Sequence, residues 1–165
     1  MTQDHTTPIT PDDRHFMQIA IDLSIDNVRA GGGPFGAVIV RDGKILATGV
    51  NRVTATCDPT AHAEVSAIRA ACLAAGDFKL RGATIYSSCE PCPMCLSAIY
   101  WAGIDRLYYG NTKDDARAID FDDSFIYDQL SLPAERRSIL TRRLMGAQAI
   151  EAFRLWQHST DKIPY

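Results

Sequence analysis

The chain has 165 residues, 46% of them hydrophobic, which suits one globular domain with a sizeable core. Lys and Arg number 17 against 20 Asp and Glu, so the net charge of −3 lacks the basic surplus with which a protein grips a nucleic-acid backbone. No stretch approaches the ~18 consecutive apolar residues of a membrane span, and the polar start from Met1 to Asp13 has neither the basic nor the apolar region of a secretory signal, so a cytoplasmic setting is expected.

In chain order, Thr10-Pro11-Asp12-Asp13 reads as a helix start, with Thr10 as N-cap, proline at the first helical position and acids in the first turn. Phe16, Ile19, Ala20, Leu23 and Val28 continue at helical spacing toward Gly31-Gly32-Gly33. Ala37–Val40 and Lys44–Val50 read as strands joined at Asp42-Gly43, a strong hairpin signal. A loop from Asn51 to Cys57 leads to Asp58-Pro59, read as the cap and first position of a helix ending near Gly76. Strand Ala83–Ser87, a helix from Pro91 to Ala102 and strand Arg106–Tyr109 follow, then short helices and a longer one across Ala147–His158. This alternation predicts a mixed sheet with helices on its faces, in a single domain spanning residues 1–165.

The chemistry concentrates in two motifs, His62-Ala63-Glu64 and Pro91-Cys92-Pro93-Met94-Cys95. One imidazole and two thiolates make a three-ligand zinc set, and three protein ligands are the mark of a catalytic zinc that keeps its fourth position for water. Glu64 is then a spare acid, suited to shuttle protons to and from that water; the H-x-E with P-C-x-x-C pattern is that of hydrolytic zinc deaminases. Cys92 and Cys95 are three apart and can share one helix face near a helix start, where the dipole favours thiolate. Residues His62 and Glu64, two apart on a helix, can meet one site only if it lies beyond the helix end. The arrangement predicted is two helix N-termini facing one ion.

Other readings of the same residues weigh less. Cys89 could close the zinc as a fourth, structural ligand. Cys89, Cys92 and Cys95 resemble part of an iron–sulfur run but lack its last cysteine. Cys57 and Cys72 read as ordinary buried or half-buried thiols, and His5, His15 and His158 as surface residues. Gly31 to Gly36 matches G-x-G-x-x-G, yet it follows a helix and precedes a strand, the reverse of the dinucleotide-binding order.

The segments Gly33-Pro34-Phe35-Gly36-Ala37-Val38-Ile39-Val40, Asp58-Pro59-Thr60-Ala61-His62-Ala63-Glu64-Val65 and Ser88-Cys89-Glu90-Pro91-Cys92-Pro93-Met94-Cys95 resemble the shared core of the cytidine-deaminase-like superfamily. With Ala98–Ala102, Phe121–Tyr127 and the Tyr165 terminus, the chain most closely resembles the bacterial guanine deaminases. The resemblance implies a three-layer α/β/α fold with a mixed sheet of about five strands, and zinc-dependent hydrolysis of guanine to xanthine and ammonia in purine catabolism or salvage. It implies zinc on His62, Cys92 and Cys95, with Glu64 as the catalytic shuttle. It further implies that Asn51, Phe35, Ala63, Trp101, Asp123 and Tyr165 contact the purine. A homodimer with the segment around 147–165 exchanged between subunits is implied as well, with a small purine base as partner and neither nucleic acid nor membrane.

Each implied contact has a plainer alternative. Asn51 after a strand could stabilise a turn, Phe35 and Trp101 could be core, and the aspartates around Asp123 could be a solvated face. Two other functions compete: a tRNA adenosine deaminase, supported by Arg136, Arg137, Arg142 and Arg143, and a non-catalytic zinc-stabilised domain, which would have little use for Glu64. Guanosine and other aminoheterocycles are alternative substrates.

Overall fold

The computed structural model describes residues 8–164, so Tyr165 and His5 lie outside the described residues. The chain divides into two compact units, one ending at Asp123 and the other beginning at Ser124.

In the first unit, α1 (Pro11–Arg29) begins where the local chemistry requires. The Thr10 hydroxyl accepts from the Asp13 amide at 3.1 Å, while the Asp13 carboxylate accepts from the Thr10 amide at 2.8 Å, a reciprocal capping box. Strands β1 (Gly36–Arg41) and β2 (Lys44–Val50) form the expected hairpin. Asp42 and Gly43 at its tip have φ of 52° and 71°, the left-handed pair that a two-residue turn of matching twist needs.

Three boundaries differ from expectation, each for a local reason. The stretch expected as loop contains a single helical turn, α2 (Val53–Thr56), which opens where the Val53 amide donates to Asn51 Oδ1 at 3.3 Å. Asp58-Pro59 does not start the next helix. Asp58 Oδ1 instead accepts from the amide and hydroxyl of Thr60, at 2.8 and 2.7 Å, and closes a side-chain turn. Helix α3 (Ala63–Ala75) therefore begins later, with His62 itself as N-cap. After β3 (Thr84–Cys89), α4 (Pro93–Ala102) opens at Pro93 rather than Pro91, with Cys92 as N-cap. Strand β4 (Arg106–Asn111) and the short, capped α5 (Lys113–Arg117) follow.

The sheet runs β2-β1-β3-β4, with β1 antiparallel to β2 and β3, and β3 parallel to β4. Among the described residues it has four strands instead of about five: beyond Asn111 no segment alternates apolar and polar residues long enough to add another, and the chain turns helical. The sheet is mixed and carries helices on both faces. Ala37, Ile39 and Ile85 pack with Ala63, Ala67, Ile68 and Ala71 of α3 and Ile99 and Ala102 of α4. The alternate residues Val38, Val40 and Tyr86 pack with Phe16 and Ala20 of α1. The period-two alternation of β1 thus builds both cores of the three-layer α/β/α unit.

Gly49 sets how closely α3 can lie. A Cβ there would stand 2.2 Å from the Ala63 carbonyl and 2.5 Å from the Ala67 amide, so no larger residue fits without moving the start of α3.

The second unit contains α6 (Ser124–Ser131), a 3-10 turn (Ala134–Arg136) and α7 (Gly146–His158), close to the expected Ala147–His158. Neither helix buries a residue, and Phe153, Leu155 and Trp156 of α7 are all exposed.

Gly49→Ala is expected to destabilise the protein by about 1–3 kcal/mol through overpacking, read as a lower denaturant midpoint. It should also weaken zinc retention, because the displaced element carries His62; an unchanged midpoint would contradict the tight contact.

Candidate metal centre

The site is assembled from the first residues of two helices. His62 and Cys92 are the N-caps of α3 and α4, with nearly the same extended backbone, φ −68° ψ 160° and φ −62° ψ 167°. Neither side chain caps its own helix, unlike the Ser, Thr, Asp or Asn usual there. Both are turned to the site instead. Cys95 follows one turn into α4 and is fully buried, and Glu64 lies in the first turn of α3, only 6% exposed.

His62 Nδ1 stands 3.6 Å from Cys92 Sγ and 3.5 Å from Cys95 Sγ, and the three ligand atoms all lie within 4.8 Å of one another. Zn–N and Zn–S bonds of about 2.1 and 2.3 Å at a tetrahedral angle give an N···S edge of about 3.6 Å. The two N···S separations therefore already match tetrahedral edges around one ion, and the soft sulfur and imidazole chemistry of the donors suits zinc.

The charges are arranged in the same sense. Cys92 is held well below the usual thiol range, first by a hydrogen bond from Cys95 and then by one from His62. Cys95 is pushed up by that bond, by burial and by the Glu64 charge. The His62 imidazole is pushed up, chiefly by its bond to Cys92. Burial pushes Glu64 up as well, and its carboxyl lies within hydrogen-bonding reach of Cys95.

Cys89 is not the fourth member of this group. It is buried at the end of β3, where its Sγ donates to the Thr112 carbonyl at 3.7 Å, and burial followed by the Glu64 charge pushes its thiol up to about 11. Among the described residues, the metal-binding group holds His62, Cys92 and Cys95.

The model of the cytidine and deoxycytidylate deaminase zinc-binding region matches residues 10–111, which hold the sheet, α3 and α4. The chain belongs to that family. This deaminase is 48% identical over 151 residues to the guanine deaminase of Bacillus subtilis, covering 91% of this chain and 97% of that one. The crystal structure of a B. subtilis guanine deaminase superposes with a TM-score of 0.90 at 47% identity, over 92% and 98% of the two chains. A guanine deaminase structure from Nitrosomonas europaea matches at 31% identity and a TM-score of 0.65, covering 71% and 67%. The tRNA-specific adenosine deaminase of Agrobacterium fabrum is 42% identical over 106 residues, 64% of this chain and 70% of that one.

Several residues expected to contact a purine lie in the same unit as the metal group. Ala63 is the first residue of α3 and is fully buried. Asn51 lies beside the approach to His62, because the Arg52 amide donates to the Ala61 carbonyl at 2.9 Å. Asn51 does stabilise a turn, through Val53, yet its Nδ2 donates to no described residue and is left to other partners. Phe35 is half-buried and meets Phe121 edge-on with ring centroids 4.9 Å apart. Asp123 is half-buried, and its carboxyl is pushed up by burial and by the Cys92 charge.

Trp101 is not brought to the metal group. It is 65% exposed at the far end of α4, where it lines a shallow surface depression with Ser97 and Tyr100. Six residues of helix from Cys95 amount to about 9 Å along the axis, so within one chain Trp101 cannot wall the metal centre. Tyr165 lies outside the described residues. Cys57, read as buried or half-buried, is exposed at the left-handed C-cap of α2, while Cys72 is half-buried and His15 and His158 are exposed.

Three residues of the frame were missed. Ser88 Oγ accepts from the buried Gly36 amide at 3.0 Å, Glu90 Oε2 accepts from the Lys113 amide at 3.1 Å, and Asn27 bonds to the loops on both sides of Phe35. Only the position of Glu90 beside the cysteine motif offered a signal.

Cys92→Ala and Cys95→Ala should each lose bound zinc on metal analysis of the purified protein, whereas Cys89→Ala should keep one zinc per chain. Loss of zinc from the Cys89 variant would make that residue a ligand.

Proposed function

We propose that this chain is a zinc-dependent guanine deaminase, hydrolysing guanine to xanthine and ammonia. The observation that carries the substrate is the reach of the likeness: identity to the B. subtilis guanine deaminase extends over 91% of this chain, whereas identity to the A. fabrum tRNA deaminase covers 64%. The net charge of −3 also favours a small neutral base over a polynucleotide.

His62, Cys92 and Cys95 hold the zinc, which when bound makes water reactive at neutral pH and polarises the reacting centre. Glu64 takes the proton that water gives up and delivers it to the ring nitrogen next to the amino-bearing carbon. A second transfer through the same carboxyl protonates the amino group as it leaves as ammonia. Burial, which pushes the Glu64 carboxyl up, suits it to hold a proton between these transfers. The amide at Ala63, in the open first turn of α3, faces the oxygen at the reacting carbon. Asn51 uses its uncommitted Nδ2 on a polar edge of the purine, Phe35 packs against the ring, and Asp123 meets the amino or ring-nitrogen edge.

The protein acts as a homodimer in which the segment around 147–165 crosses to the partner and Tyr165 closes a pocket. The exposed Phe153, Leu155 and Trp156 support this, since a helix with so much uncovered apolar surface lacks a core of its own. Trp101, too far from the centre within its own chain, serves the pocket only if a partner brings it there. Thiol ligands of this kind suit the reducing cytoplasm.

Ammonia release measured with guanine, guanosine, adenine, cytosine and a tRNA anticodon stem tests the substrate. Guanine should turn over fastest; turnover of tRNA adenosine without guanine would contradict the proposal. Glu64→Gln should keep its zinc and its fold while turnover falls by about 10²–10⁴-fold. Near-normal activity in that variant would remove Glu64 from the proton path.

A further inference from the structure

Asn27 lies near the end of α1, distant in sequence from both motifs, and its side chain joins the loop before β1 to the residue that follows β2. Its Nδ2 donates to the Gly33 carbonyl at 2.8 Å and to the Asn51 carbonyl at 2.9 Å, and both bonds are partly buried. Its own backbone carbonyl accepts from the Gly32 amide at 2.7 Å. One side-chain amide therefore ties the loop entering Phe35 to the residue that follows β2, and the Asn51 amide closes the link by donating to the Phe35 carbonyl at 3.1 Å.

The space around these bonds is fully used. A Cβ at Gly32 would stand 2.5 Å from Asn27 Nδ2, and one at Gly33 would stand 3.1 Å from Asn51 Cγ and 3.2 Å from Oδ1. The Asn51 carboxamide is thus held by Asn27 through its backbone and bounded by Gly33 along its side chain. The requirement on residue 27 is specific. Two carbonyl oxygens must be met by one nitrogen carrying two hydrogens, which a carboxamide supplies and a carboxylate does not.

We propose that Asn27 is a positioning residue for purine binding: its amide holds the Phe35 loop and the Asn51 carboxamide in the arrangement that receives the base. This rests on the reading above in which Asn51 and Phe35 contact the purine. In Asn27→Asp a negative carboxylate faces the two carbonyls, so the loops separate while the metal group, carried by α3 and α4, stays intact. A residue that merely anchored α1 would lower stability and the active fraction, and would leave KM unchanged.

The test is steady-state guanine deamination by the zinc-loaded enzyme, its Asn27→Asp and Asn51→Ala variants and the double variant, with zinc content measured on each. Two lost hydrogen bonds correspond to a KM rise of about tenfold for Asn27→Asp, with kcat within about twofold of the parent and zinc retained. In the Asn51→Ala background the same substitution should raise KM by less than about threefold, because the residue it positions is gone. Full additivity, or a fall in kcat at unchanged KM, overturns the proposal. Should Asn51→Ala alone leave KM unchanged, the purine-contact reading fails and the proposal with it, a result distinct from failure at Asn27 alone. Gly33→Ala guards against an Asn27 variant that does not fold: it crowds the Asn51 carboxamide from the other side and leaves the Asn27 amide in place. Its KM should rise too, and an unchanged KM there also overturns the proposal.

Discussion

Two helix N-termini meet at one point, and their cap positions are occupied by an imidazole and a thiol instead of the usual hydroxyl or carboxylate. A helix start presents unpaired amides and partial positive charge, which favours thiolate and draws anionic groups toward it. With His62 and Cys92 as caps, Cys95 one turn on and Glu64 in the opposite first turn, all four groups come from the N-terminal ends of the two helices. This convergence depends on the sheet. α3 lies close enough only because Gly49 leaves its backbone unobstructed, and α4 is delivered by the buried strand β3 that pairs with β1.

The convergence also concentrates negative charge. The Cys92 and Glu64 charges push Cys95 toward protonation, and burial pushes Glu64 the same way. A divalent cation between the two sulfurs and the imidazole reverses that balance, so metal binding and folding are coupled here. The buried carboxyl beside it differs from a surface glutamate, because its environment disfavours the charged form. Cys89 shows the contrast: it is close in sequence and buried, but it is committed to the Thr112 carbonyl and holds its proton.

Much of this was legible in the residues. The Thr10 cap, the Asp42-Gly43 hairpin, the alternation in β1 and the three-ligand group with its spare acid all follow from local rules, and the structure carries each of them. The boundaries that moved did so where two local rules competed. Asp58 is as good a turn former as it is a cap, and Thr60 decided for the turn. Pro91 and Pro93 both suit a first helical position, and the extended backbone at Cys92 decided for the second. Longer-range matters were out of reach. Helical spacing could not say that Trp101 is exposed two turns beyond Cys95, and nothing local marked Asn27 as the bridge between Gly33 and Asn51.

The central claim is a zinc held by one nitrogen and two sulfurs of this chain, with its remaining position open to solvent. X-ray absorption at the zinc edge of the purified protein tests it directly, since sulfur and nitrogen or oxygen neighbours differ in distance by about 0.2–0.3 Å. The account predicts two sulfurs and two lighter atoms around each zinc. Three sulfurs, or a fourth protein ligand in the position assigned to water, would contradict it.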